Sequence, residues 1–223
     1  MSLSLALKGG LAAMGLDLSD AQQDKLLAFI ALLTKWNRTY NLTAIRDERE
    51  MLTHHLLDSL VVVPALGMSA LAGPRSAIPG RQSPGPHWAD VGSGAGLPGI
   101  PLAIACQELA VTSIETVEKK ATFQRQAMIE LGLANFTVEN RRVEQLPAGG
   151  FDAVISRAFA ELADFVRLAG HLLNPGGRLL AMKGILPEEE IKRLPSGWVL
   201  RESLPLRVPG LDAQRHLLVI EKA

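Results

Sequence analysis

Apolar positions divide the chain into two regimes. Over the first 70 residues they recur at helical spacing. Ser19-Asp20-Ala21-Gln22 forms a capping box, a hydroxyl cap with a glutamine three residues on, and Leu26, Leu27, Ile30 and Leu33 follow on one face. Asp47 with Glu50 marks a second helix start, and Leu52, His55, Leu56, Leu60 and Val63 share a face that Pro64 is expected to close. Residues 73–86, Gly-Pro-Arg-Ser-Ala-Ile-Pro-Gly-Arg-Gln-Ser-Pro-Gly-Pro, suit neither helix nor ladder and read as a linker or loop. From residue 87 short apolar runs alternate with amphipathic stretches. Strands are predicted at 87–91, 111–116, 136–140, 151–156 and 177–183, with helices at 98–108, 119–132 and 159–173 and a short one near 188–194. Asn174-Pro175-Gly176-Gly177 reads as a turn before the fifth strand. Two β-like runs, Val199–Leu204 and His216–Ile220, close the chain around a turn-rich segment, with no helix between them.

This order predicts an α/β protein with a mostly parallel seven-stranded sheet and helices on both faces. The expected organisation is an N-terminal helical extension (1–72), the linker (73–86) and an α/β domain (87–223). Composition narrows the class. The chain has 223 residues, 48% of them hydrophobic, which is enough for a core without covalent staples. One cysteine, Cys106, excludes an internal disulfide and reads as a packing thiol. No Cys/His spacing suggests a metal. No signal-peptide pattern or membrane-length apolar run is seen, so a cytoplasmic protein without membrane contact is expected. Net charge is zero, which argues against a generic nucleic-acid binder.

Residues 90–99, Asp-Val-Gly-Ser-Gly-Ala-Gly-Leu-Pro-Gly, follow the first predicted strand and open a helix. Gly94, Gly96 and Gly99 satisfy G-x-G-x-x-G, a pattern compatible with NAD or another nucleoside cofactor. Glu115 ends the second strand, where an acid can accept from ribose hydroxyls. Asp90 can order the loop or reach a ligand ammonium. S-adenosylmethionine has an ammonium and no phosphate, whereas NAD has the reverse. Together with the terminal strand pair, these residues favour S-adenosylmethionine and a Rossmann-like class I methyltransferase fold.

An ordered set of segments is more specific. Trp36-Asn37, Asn41-Leu42-Thr43, Arg46-Asp47 and His55-Leu56-Leu57-Asp58-Ser59 precede the glycine loop. Arg142-Val143-Glu144, Ser156-Arg157-Ala158-Phe159-Ala160, Lys183-Gly184 and Arg215-His216-Leu217 follow it. With these the chain resembles, over nearly its whole length, the 16S ribosomal RNA guanine-N7 methyltransferase family, RsmG or glucose-inhibited division protein B. The resemblance implies methylation of N7 of one guanosine, position 527 in the 530 loop. It also implies cofactor contacts at Gly92, Leu97, Val143, Glu144 and Arg157. The chain departs from the family pattern in having Ser93 for a usual threonine and Ala95 for a usual proline, and its 73–86 stretch looks longer than usual.

N7 carries a lone pair and no proton, so no catalytic base is expected and positioning should carry the reaction. Arg157, at the mouth of the sheet, is the best single candidate. It can pair with the methionine carboxylate, the RNA backbone or the guanine O6 edge, or form a structural salt bridge. RNA-contact candidates are Arg125 in a basic helix start with Lys119 and Lys120, Phe159, Lys183 and Arg215. Phe159 also reads as a core residue beginning the next helix, and Lys183 as a solvated strand end. His55 reads as a satisfied interior histidine and Trp36 as core, while Asn41 caps a turn or meets substrate. The expected partner is 16S ribosomal RNA within the 30S subunit or an assembly intermediate, with the protein a monomer. An NAD-dependent oxidoreductase and a non-enzymatic ribosome-assembly factor with a retained cofactor pocket are the alternatives.

Overall fold

Seven strands form one mixed sheet in a computed structural model that describes residues 2–71 and 85–223. The strands are β1 (His87–Val91), β2 (Ala110–Ile114), β3 (Phe136–Glu139), β4 (Phe151–Ser156), β5 (Leu173–Lys183), β6 (Trp198–Pro205) and β7 (His216–Lys222). Their order is β3-β2-β1-β4-β5-β7-β6. The first five are mutually parallel, and β7 inserts antiparallel between β5 and β6. Strand order reverses between β1 and β4, which opens a crevice at their carboxyl ends, the usual ligand position in such sheets. The linker expected at 73–86 lies outside the described residues except for Gly85 and Pro86.

Period-two alternation splits the sheet residues between two cores. Trp88, Ile155, Leu180, Met182, Leu217 and Val219 face one side. Ala89, Val154, Leu179, Ala181, Leu218 and Ile220 face the other, against α8 (Leu162–Ala169). The first side is continuous with the N-terminal helices α1 (Leu3–Ala13) and α2 (Asp20–Tyr40) and with α6 (Gly99–Ala105) and α7 (Glu118–Glu130). The capping box at Ser19 forms, and the Gln22 amide reaches on to the carbonyls of Ile104 and Ala105 at 3.0 Å each. One side chain therefore starts α2 and docks it on the end of α6.

The second predicted N-terminal helix is segmented. Asp47 caps α3 (Glu48–Met51), which runs into a π-helical stretch, Leu52–Leu57, then α4 (Asp58–Leu60). Pro64 does not close it. The backbone at Val61 stays right-handed helical, α5 (Val62–Leu71) follows with Pro64 in its first turn, and the chain kinks instead at Gly67, φ +68° and ψ 154°.

Further boundaries differ from the pattern reading, among them the helix expected at 98–108, which ends at Ala105. The helix expected at 159–173 begins only at Leu162, and residues 157–161 are a loop. The turn expected at 174–177 lies within β5, where pairing with β4 is irregular and Gly176 takes φ +76°. Short α9 (Glu188–Lys192) follows β5.

Candidate active site

The glycine loop leaves β1 at the crevice. Gly92 adopts φ +72° while its N–H donates to the carbonyl of Ile114 at 2.9 Å, and a Cβ there would lie 2.7 Å from that of Ala158. Gly94 has φ +59°, and a Cβ on it would meet nothing within 4 Å. The loop thus presents main chain on one side and open space on the other.

Buried polar groups fix this turn from beneath. Glu115 accepts from the N–H of Gly94 and of Val117, both at 2.8 Å. Asp90 accepts from the N–H of Gly99 at 2.8 Å and is fully buried. Its second oxygen, Oδ1, has no partner among the described residues. Burial, offset in part by that N–H and by Arg157, pushes the Asp90 carboxyl up to about 7. Of the two roles open to it in the sequence, Asp90 is seen here ordering the loop.

Gln124 was not singled out from sequence, yet it knits the site. Its amide donates to Ser93 Oγ and to the Gly94 carbonyl at 2.8 Å each, and its oxygen accepts from Ser113. Being fully buried on α7 it has no water to fall back on. Gln124→Leu is expected to leave the Gly94 carbonyl unpaired at a cost of about 2 kcal/mol. That is a Tm drop of roughly 4–8 °C in a thermal melt, and an unchanged Tm would contradict it.

A cavity of about 580 Å³ lies between this loop and the N-terminal helices. The π-helical stretch brings His55 to its wall and leads directly to Asp58. Such stretches recur at functional sites because an extra residue per turn re-aims side chains. Asp58 is 5% exposed and bridges two cations. Its Oδ2 accepts from Arg157 Nη1 and its Oδ1 from Arg215 Nε, both at 2.8 Å. One carboxylate against two guanidinium groups leaves a positive excess at the cavity mouth. Asp58 belongs to the His55–Ser59 segment noted in the sequence, three residues on from His55, whereas its two arginine partners lie far along the chain.

His55 is buried, with Nε2 2.9 Å from Thr43 Oγ1 and Nδ1 unpartnered among the described residues. Burial first, and then the Arg157 charge, lower its pKa to about 4, so the ring is neutral near pH 7. Thr43 is itself positioned by Asn37, which accepts from the Thr43 N–H at 2.9 Å and donates to the Ile45 carbonyl at 3.1 Å. Asn41 caps α2 in the left-handed region, φ 48°.

The remaining candidates fall in different places. Leu97 lines the cavity. Lys183 lines it too, but its ammonium is engaged by Glu190 Oε2 at 2.8 Å and by the carbonyls of Phe159 and Ala160. It is neither a solvated strand end nor a free cation: it ties the 157–161 loop to α9. Phe159 lies in that loop, ahead of the helix, with its ring centroid 5.0 Å from that of Phe165. Val143 is buried in the second core and Glu144 exposed, both on a 3-10 turn after β3. Arg125 pairs with Glu118 at 3.4 Å on α7 and does not line the cavity. Cys106 caps the end of α6, and burial pushes its thiol up to about 11. Among the described residues no cluster could hold a metal, and no helix is long and apolar enough to cross a membrane.

Comparison with known proteins supplies the family. Residues 22–218 match GidB, rRNA small subunit methyltransferase G. The ribosomal RNA small subunit methyltransferase G of Aromatoleum aromaticum is 59% identical over 222 residues, 97% of each chain. That of Ralstonia nicotianae is 53% identical over 215 residues, 96% of this chain and 93% of the other. Among solved structures, TrmN from Thermus thermophilus aligns with a TM-score of 0.53 at 22% identity, covering 77% of this chain and 53% of that one. A 16S rRNA (adenine(1408)-N(1))-methyltransferase variant from Catenulisporales acidiphilia aligns at 0.51 with 19% identity, covering 62% and 85%. At those identities the structures speak for the fold alone, a Rossmann-like methyltransferase sheet. The match over 22–218, with the identities along nearly the full length, establishes that this chain belongs to the rRNA small subunit methyltransferase G (GidB) family.

Proposed function

We propose that this protein transfers a methyl group from S-adenosylmethionine to N7 of one guanosine, position 527 in the 530 loop of 16S ribosomal RNA. Family membership supports a small-subunit ribosomal RNA substrate, and it favours neither an oxidoreductase nor a non-enzymatic assembly factor. The donor set suits the cofactor. Main chain at Gly92 and Gly94 leaves room that any Cβ at 92 would close. Arg157 lines the cavity and offers a cation to a carboxylate, and Glu115, which holds the Gly94 N–H from beneath the loop, is assigned here to the ribose hydroxyls. Val143 and Glu144, at the carboxyl end of β3, are assigned to the adenine side, with Leu97 on the loop.

When bound, S-adenosylmethionine supplies an electrophilic methyl group. The chain's part is to hold the acceptor in line and keep water away. The observation that carries N7 as the acceptor is the state of the ionisable groups at the cavity. His55 is neutral and held by Thr43, Asp58 is saturated by Arg157 and Arg215, and Lys183 is saturated by Glu190. His54 and His216 line the cavity as well, His216 with Nδ1 2.7 Å from the Gly184 carbonyl. The low pKa of His55 and the ion pairing of Asp58 and Lys183 leave none of these three poised to take a proton from the substrate. A ring nitrogen with a bare lone pair needs none taken. The Arg157–Arg215 pair offers donors to guanine O6, which lies beside N7.

Zero net charge supports a substrate presented by the 30S subunit or an assembly intermediate, met by a cytoplasmic monomer. The experiment is methylation of 30S particles from cells lacking this protein, using S-adenosylmethionine labelled in the methyl group. One 7-methylguanosine in the 530 loop is expected. A labelled base elsewhere, or no transfer to RNA, would overturn the reading.

A further inference from the structure

A second, open groove of about 1010 Å³ adjoins the cavity and shares Gly184, Leu206, Arg215 and His216 with it. One wall is the turn after β5, where Ile185 is 77% exposed, the most exposed large hydrophobic side chain among the described residues. The other is the segment between β6 and β7. That segment is held in place: Leu206 and Val208 are buried in the first core, and the Leu206 N–H donates to the Arg215 carbonyl at 2.7 Å. His216 Nδ1, 2.7 Å from the Gly184 carbonyl, ties the two walls together. Arg207 is exposed on the second wall and pairs with no carboxylate among the described residues. The groove's acid is Asp212, set against Arg207, Arg215 and His216.

Resting on the proposed RNA substrate, we infer that this groove carries the RNA strand flanking the methylated guanosine, with Arg207 on a phosphate and Ile185 against a neighbouring base. A base seated in the cavity keeps its phosphates at the mouth, and the strand must leave along a wall continuous with it. This groove is continuous through four residues and carries Arg207, which has no carboxylate partner among the described residues. An exposed aliphatic side chain at the exit suits the face of an unstacked base, as apolar wedges do in other nucleic-acid complexes. Lone exposed hydrophobics are ordinary. Ile185 stands beside the cavity, opposite an arginine with no carboxylate partner among the described residues.

The test uses 30S particles lacking the modification. Ile185→Ala is expected to raise KM for the particle by about 3- to 10-fold, as loss of apolar burial against a base does, with no change in salt dependence. Arg207→Ala is expected to weaken binding and to reduce the slope of log affinity against log salt by about 0.7, one phosphate contact. S-adenosylmethionine affinity and Tm should stay at wild-type values, since both side chains are exposed. A photo-crosslinking phenylalanine at position 185 should label 16S RNA near the target. Labelling of a ribosomal protein instead, or wild-type KM and salt slope in both variants, overturns the inference. Absence of RNA methylation by the wild-type protein would sink the underlying reading, a result distinct from unaffected variants of an active enzyme.

Discussion

Gly92→Asp is expected to lose methyl transfer by about 100-fold or more, which corresponds to roughly 3 kcal/mol of transition-state stabilisation. Three effects combine at this position. Its φ of +72° is a conformation that aspartate adopts at a cost of about 1–2 kcal/mol. The new Cβ would sit 2.7 Å from Ala158 Cβ, so the 157–161 loop carrying Arg157 must move. The carboxylate would then compete for Arg157 at the cavity wall. The amide of Gly92, bonded to Ile114, holds β1 to β2, so the fold has reason to persist. Gly94→Ala is the control. It shares the positive φ and lines the cavity, but a Cβ there meets no protein atom within 4 Å, so the 157–161 loop need not move and a smaller loss, under about 10-fold, is expected. Transfer to 30S particles and S-adenosylmethionine binding by calorimetry measure both. Equal activity in the two variants would show that the space at position 92 is not used.

That contrast rests on a feature visible in the sequence, and much of the fold was visible with it. β1 and β4 run over the residues their apolar runs predict, because central parallel strands buried on both faces are written as continuous hydrophobic stretches. The final strand pair also stood out, through the missing helix between its runs. The start of α8 did not. Helical periodicity from 159 onward cannot register that Lys183 holds the carbonyls of Phe159 and Ala160 in a loop. The charge arrangement at the site was illegible for a related reason. Asp58 and Arg157 are 99 residues apart, and Asp58 and Arg215 157 apart. No local spacing encodes a bridge assembled by a helical extension docking beside residues that follow β4 and precede β7. Lys183 and Arg215 read as available cations in sequence because their carboxylate partners are tertiary.

Asp90 and His55 make opposite contributions to stability against pH, and removing either should unmask the other. The neutral form of each is favoured by burial. For Asp90, which faces Arg157 and Glu115, the folded pKa is about 7 against 3.8 for the exposed group. Between those values the folded chain holds a proton that the unfolded chain has released, so this residue stabilises the fold progressively as pH falls from 7 towards 4. For His55, which faces Arg157, His54 and Asp58, the folded pKa is about 4 against 6.5. Here the unfolded chain takes up the proton first, so this residue destabilises the fold over nearly the same window. Across the whole range Asp90 is worth about 4 kcal/mol and His55 about 3 kcal/mol, at 1.36 kcal/mol per pKa unit. Asp90→Asn keeps an acceptor for the Gly99 N–H and removes the titration. Its Tm, taken relative to wild type, should drop by roughly 5–10 °C between pH 7.5 and 4.5. His55→Gln keeps a polar partner for Thr43, and its Tm relative to wild type should rise over the same interval. Differencing against wild type cancels the surface carboxylates common to all three proteins. Two variants that track wild type in parallel would mean that Asp90 and His55 titrate alike in the folded and unfolded chain. A hydrated loop floor would then replace the dry one that the buried Asp90 and the cradled glycine turn describe.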